Sequence, residues 1–144
     1  MRLMALDVGE RRIGIALSES GVFASPHAIL YRKSKQEDFA RLGRLVAELK
    51  IERVIVGLPY SLSGGEAMGP QARRIKRYAE ALAETLSVPL EYFDESYSTV
   101  EAAAFLMAGG SRKKSTQRNK TPIDDAAAAV ILQNYLDSTK NNRV

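Results

Sequence analysis

Leu3-Met4-Ala5-Leu6-Asp7-Val8-Gly9-Glu10-Arg11-Arg12-Ile13-Gly14-Ile15-Ala16-Leu17-Ser18 is the stretch from which the fold can be read outward. Its first half is a short apolar run closed by an aspartate and a Val-Gly-Glu turn. Its second half alternates Ile13, Ile15 and Leu17 with Gly14, Ala16 and Ser18, the two-residue period of a strand with one face in a core. Residues 2–7 and 12–18 are therefore expected to pair as a hairpin, with Asp7 at the end of its first strand.

Working onward, a third strand is expected between residues 22 and 30, interrupted or started late by Pro26. Phe39, Leu42, Leu45, Val46 and Leu49 then recur at helical spacing, which predicts a helix over 35–50. Arg53-Val54-Ile55-Val56-Gly57 is a continuous apolar run of the kind buried on both faces of a parallel sheet. Gly57-Leu58-Pro59 ends it, and a glycine-rich loop leads to a helix over 71–86. A strand over 88–93 closes at Asp94-Glu95. Ser98 or Thr99 caps an expected helix to about residue 108, which Gly109-Gly110 stops. Pro122 opens a last helix to about residue 137. The order is β-β-β-α-β-α-β-α-α, an α/β chain without internal repeat or linker, read as one domain over residues 1–144.

Composition narrows the chemistry. The chain has 144 residues, 45% hydrophobic and 26% charged, the proportions of a water-exposed globular domain. There is no cysteine and only one histidine, His27 beside Pro26, so neither thiolate nor imidazole chemistry has its parts. No apolar run reaches the ~20 residues of a membrane span and no signal-peptide pattern opens the chain, which fits a cytoplasmic protein. The net charge of +4 permits a polyanionic partner. Its distribution is more telling: Arg112, Lys113, Lys114, Arg118 and Lys120 fall in one stretch free of acids.

Acids gather at one kind of place. Asp7 ends the first strand, Glu95 follows the last, and Asp124 and Asp125 open the final helix. Where the first and later strands run side by side in parallel, their carboxyl ends face one crevice. Each acid alone has a local role to play, as turn residue, helix cap or complement to a helix dipole. Together they form an oxygen-only ligand set suited to Mg²⁺ or Mn²⁺. Two such ions ~3.5–4 Å apart can clamp the attacking and leaving oxygens of a phosphodiester. The basic stretch would then hold phosphates.

At these residues the chain resembles the YqgF (RuvX) family, RNase H-like proteins described as Holliday junction resolvases or pre-16S rRNA processing nucleases. The resemblance covers nearly the whole chain. It rests on Leu6-Asp7-Val8-Gly9-Glu10-Arg11-Arg12-Ile13-Gly14-Ile15-Ala16, on Val56-Gly57-Leu58-Pro59, on Phe93-Asp94-Glu95 with Ser98-Thr99-Val100-Glu101-Ala102, and on Ile123-Asp124-Asp125-Ala126-Ala127 with Ile131-Leu132-Gln133. It implies a five-stranded mixed sheet flanked by helices on both sides. It implies Asp7, Glu95 and Asp124 as metal-holding catalytic acids, with Asp125 second choice for the third. Arg12 is implied as a phosphate or structural partner. Two departures stand out. Ser96 occupies the place of the family's usual arginine, and the loop Ser63-Gly64-Gly65-Glu66-Ala67-Met68-Gly69 is longer than the usual glycine motif.

The leading expectation is an Mg²⁺- or Mn²⁺-dependent endonuclease in ribosome biogenesis, acting on the 5′ end of pre-16S rRNA. In it Arg112, Lys113, Lys114, Arg118 and Lys120, with Arg12, grip the backbone. The same residues admit a resolvase of branched DNA, which two coordinated cuts would favour as a homodimer; trimming of rRNA suits a monomer. Asp7-Val8-Gly9 also resembles the phosphate loop of actin-like kinases and ATPases. Those need two lobes, whereas this chain has one and lacks a Gly-Lys-Ser/Thr loop. A non-catalytic nucleic-acid-binding module is the remaining reading; it gains from Ser96 and loses from the retention of all three acids.

Overall fold

The computed structural model describes residues 1–59, 69–95 and 122–141. Strands β1 (Leu3–Val8), β2 (Arg12–Ser18) and β3 (Ser25–Tyr31) come first. They are followed by α1 (Lys35–Glu48), β4 (Arg53–Leu58), α2 (Pro70–Thr85), β5 (Leu90–Asp94) and α3 (Pro122–Asn141). The expected hairpin is present, with Asp7 opposite Gly14. The five strands form one sheet in the order β3-β2-β1-β4-β5. Pairs β1–β2 and β2–β3 are antiparallel, whereas β1–β4 and β4–β5 are parallel. Parallel neighbours need crossovers, and the connections containing α1 and α2 supply them.

Strand alternation sorts the core into two layers. Met4, Leu6, Val8, Ile13, Ile15, Val54, Val56 and Leu58 face α1 and α2, where Leu42, Val46, Ile75, Tyr78 and Leu82 meet them. Leu3, Ala5, Ala16 and Ile55 face α3 through Ala128, Ala129, Ile131, Leu132, Tyr135 and Leu136. Helices thus cover both faces of a mixed five-stranded sheet, as the resemblance implies.

Two boundaries and the buried side of one helix differ from the sequence reading, each for a local reason. Strand β3 begins at Ser25 with Pro26 inside it, because β3 is an edge strand and its register shifts opposite Ile15 and Ala16. The buried side of α1 includes Asp38, at 1% exposure, beside Leu42 and Val46, while Phe39, Leu45 and Leu49 are only partly buried. Helix α3 runs past residue 137. Leu136 anchors it in the core, and the Ser138 and Thr139 hydroxyls donate to the carbonyls of Tyr135 and Leu136 at 2.9 and 3.0 Å. The expected helix over 98–108 and the basic stretch lie outside the described residues. Among the described residues no helix is long and apolar enough to cross a membrane.

Candidate active site

The crevice forms where β1, β4 and β5 end. Leu6 is level with Val56, so Asp7 lies one step further on, beside Gly57, which is itself paired with Phe93. Asp7, Gly57 and Phe93 therefore share a row, and alternation turns all three toward the α3 side. Glu95, two residues beyond Phe93, returns to that side. Arg12, two residues before Gly14 in a strand that puts Ala16 against α3, belongs to the same face and end.

Gly57 is what lets the carboxylates meet. A Cβ on it would stand 2.6 Å from Ile131 Cδ1, 2.8 Å from Glu95 Oε2 and 3.1 Å from Glu95 Cγ. The space that any larger residue would fill is taken instead by the Glu95 carboxylate and a methyl of α3. The sequence reading used Gly57 as the end of a strand and as part of the Val56-Gly57-Leu58-Pro59 motif, without a spatial role. Nothing local distinguishes a terminating glycine from one that makes room for an acid, and only the parallel register reveals its role.

Burial and charge act on Glu95 in the same direction. Desolvation first, then the charge of Asp7, then that of Asp94, push its carboxyl up to about 7. Burial and like charge both disfavour the ionised carboxylate, so the two effects add. Glu95 and Asp7, called together from the sequence, are thus brought together by the fold.

Helix α3 reaches toward the same place. Tyr135 sits at the opposite end of β4 and β5. There its hydroxyl donates to Glu91 Oε1 at 3.0 Å, and Arg53 Nη1 donates to the same oxygen at 2.9 Å. Ile131, one turn earlier, lies at Gly57. The helix therefore runs antiparallel to these strands and its first turn, holding Asp124 and Asp125, points past the carboxyl end of the sheet. Gln133 fixes the seating: its Oε1 accepts from Ala24 N at 2.9 Å, and its Nε2 donates to Val22 O at 3.0 Å and Asp137 Oδ1 at 3.2 Å. The side chains of Asp124 and Asp125 lie outside the described residues, as do Ser96, Arg112, Lys113, Lys114, Arg118 and Lys120.

A mixed sheet of this order, with acids converging at the ends of β1 and β5, defines an RNase H-like nuclease scaffold. Solved structures share the fold. The Thermus thermophilus RuvC in complex with Holliday junction substrate aligns with a TM-score of 0.65 at 13% identity, covering 100% of this chain and 98% of that one. The fowlpox virus resolvase bound to Holliday junction DNA aligns at 0.59 and 12% identity, covering 96% of this chain and 99% of its own.

The chain belongs to the RuvX family, described as Holliday junction resolvase, which it matches over residues 1–138. A relative from Thermoanaerobacter pseudethanolicus, named "Putative pre-16S rRNA nuclease", is 40% identical over 98% of this chain and 99% of its own. One of the same name from Syntrophomonas wolfei is 41% identical over 95% and 94% respectively. The protein is a hydrolase of phosphodiester bonds.

Proposed function

We propose that this chain is a divalent-metal-dependent endonuclease of structured RNA that processes the 5′ end of pre-16S rRNA. The observation that carries this is the placement of Asp7 and Glu95 over the gap left by Gly57, at the carboxyl end of the sheet. The substrate follows from the names of the full-length relatives.

The donor set fits Mg²⁺ or Mn²⁺. Asp7 and Glu95 offer only hard oxygens, and their mutual repulsion is what a divalent cation would relieve. Asp124 is the third holder. It continues the stripe of Ala128, Ile131 and Tyr135, of which Ile131 meets Gly57 on β4 and Tyr135 meets Arg53 and Glu91, and it precedes Ile131 by about 10 Å along the axis. Asp125 instead continues the stripe of Ala129, Leu132 and Leu136 and ranks second. When bound, the cation supplies Lewis-acid activation and neutralises charge at phosphorus.

The protein's own groups then have separable tasks. Asp7 fixes one side of the metal position from a rigid strand. Glu95 fixes the other, its approach set by Gly57 and its water access cut by Ile131. Arg12, on the same face, and Arg112, Lys113, Lys114, Arg118 and Lys120 hold the substrate's phosphates. The chain acts in the cytoplasm as a single domain and as a monomer on rRNA.

Asp7→Asn tests the reading. The purified variant, folded by circular dichroism, should lose cleavage of a pre-16S precursor fragment in Mn²⁺; cleavage at the wild-type rate would show the site to be elsewhere. A second reading, resolution of branched DNA, is favoured by the fold shared with proteins solved on Holliday junctions. Symmetric nicking of a four-way junction by a species of dimeric mass would select it.

A further inference from the structure

On the other face of the sheet, at the same end, lies a cleft of about 540 Å³ lined by Val8, Gly9, Glu10, Arg32, Lys35, Gln71, Arg74, Ile75, Arg77 and Tyr78. Four of these are cations and one, Glu10, is an acid. They come from the β1–β2 turn, the end of β3 and the two helices of that face, so no single stretch of sequence announces them. Arg32 is fixed in place. Its Nη1 donates to Gly9 O at 2.7 Å, its guanidinium lies 4.3 Å over the ring of Tyr78, and its Nε is 3.8 Å from buried Asp38. Arg74 and Arg77, three apart on α2, share a face and are exposed. Arg74 is 3.5 Å from Glu10. Among the described residues, neither Lys35 nor Arg77 has an acidic partner within salt-bridge distance.

We propose that this cleft binds the phosphodiester backbone of the nucleic-acid substrate, away from the bond that is cut. Three observations carry it. Four cations spread over three elements match a row of phosphates better than a single anion. Val8 and Gly9, which line the cleft, directly follow Asp7, so a strand leaving the carboxylates over the sheet end enters it. The one aromatic ring present, Tyr78, is 3% exposed and has Arg32 over its face, leaving no platform for a base. Contact is therefore to backbone, without sequence preference. The inference rests on the nuclease reading above for the identity of the polyanion.

The test is fluorescence anisotropy with a labelled hairpin RNA carrying a single-stranded flank, in EDTA so that nothing is cut, over a series of KCl concentrations. Arg74→Gln/Arg77→Gln should weaken binding and flatten the slope of log affinity against log salt by ~1.4–1.8, the loss of two phosphate contacts. Glu10→Gln should tighten binding, which a purely structural role for these residues would not produce. Arg44→Gln, an exposed charge on α1 outside the cleft, should leave the slope unchanged. Thermal melts confirm that each variant is folded. A double variant with wild-type affinity and slope overturns the cleft assignment while leaving the nuclease reading standing. So does an equal loss from Arg44→Gln, or displacement of the RNA by equimolar adenosine monophosphate. A wild-type chain that does not bind the RNA overturns both.

Discussion

Two carboxylates, one on each side of the sheet, have different surroundings, Asp38 buried and Glu95 half-buried. Asp38, on the α1 side, is wrapped by donors. Its Oδ1 accepts from Lys33 N at 2.9 Å and from Arg41 Nη2 at 3.0 Å, and its Oδ2 accepts from the Tyr78 hydroxyl at 3.1 Å. Glu95, on the α3 side, has Asp7 and Asp94 as the neighbours that shift it, and its carboxyl is pushed up to about 7. Both are withdrawn from water, Asp38 fully and Glu95 in part, so burial alone marks neither as functional. The sign of the surrounding charge separates them. Asp38 ties the start of α1 to α2 and the end of β3, whereas Glu95 stands beside Asp7 and Asp94 in the site proposed above to hold a cation.

Four outcomes would sharpen or break that contrast, taken from the largest effect down. Glu95→Gln should reduce metal-dependent cleavage more than ~100-fold, since loss of a direct ligand exceeds the 10–100-fold typical of its supporting groups. The same variant should melt no lower than wild type in EDTA; a clear loss of stability would mean that Glu95 is a structural acid like Asp38. Asp38→Ala should do the reverse, costing ~2–3 kcal/mol in denaturant unfolding because Arg41, Arg32 and Tyr78 lose a buried partner. The partial exposure of Arg32 and Arg41 keeps this below the cost for fully buried pairs. Unchanged stability would break the contrast from the other side.

Gly57→Ala comes next. The added methyl must displace Glu95 or Ile131, at ~1–3 kcal/mol, with a fall in cleavage greater than stability alone explains. Full activity with a normal melt would remove Gly57 from the site. The smallest effect is on pH dependence. Glu95 has a folded value near 7 against an ordinary 4.5, so the folded, metal-free chain binds more protons than the unfolded chain between these values. Stability in EDTA should therefore fall as pH rises from about 4.5 to about 7, by ~1–2 kcal/mol after allowance for solvent screening. Glu95→Gln should flatten this part of the profile, and an unchanged slope would assign it to another group.

What could be read from the sequence depended on whether a residue's role was periodic or relational. The β1–β2 hairpin, β4 and α2 were readable because alternation, a continuous apolar run and a 3.6-residue stripe are properties of one segment. Asp7 and Glu95 were readable because strand ends can be located along the chain. Asp38 was not, since an acid in a first helical turn looks like a complement to the helix dipole until Arg41 and Tyr78 fold against it. Gly57 and the Arg32–Arg74–Arg77 cleft were not, because their meaning lies in neighbours from other elements. The choice of Asp124 over Asp125 came from the family motif, and helical register supports the same order.

The seam between α3 and the sheet has a mechanical consequence. Ala5, Ala16, Ala128 and Ala129 are all 0% exposed and share one packing layer. Methyl groups act there as shims, setting the standoff of a rigid rod whose front end carries an acid. Thickening one shim by a methylene or two would tilt the rod, and the lever arm to its first turn would magnify the tilt. The spacing of the proposed catalytic acids would thus be gauged by residues with no reactive group, and it could be retuned from there without touching any of those acids.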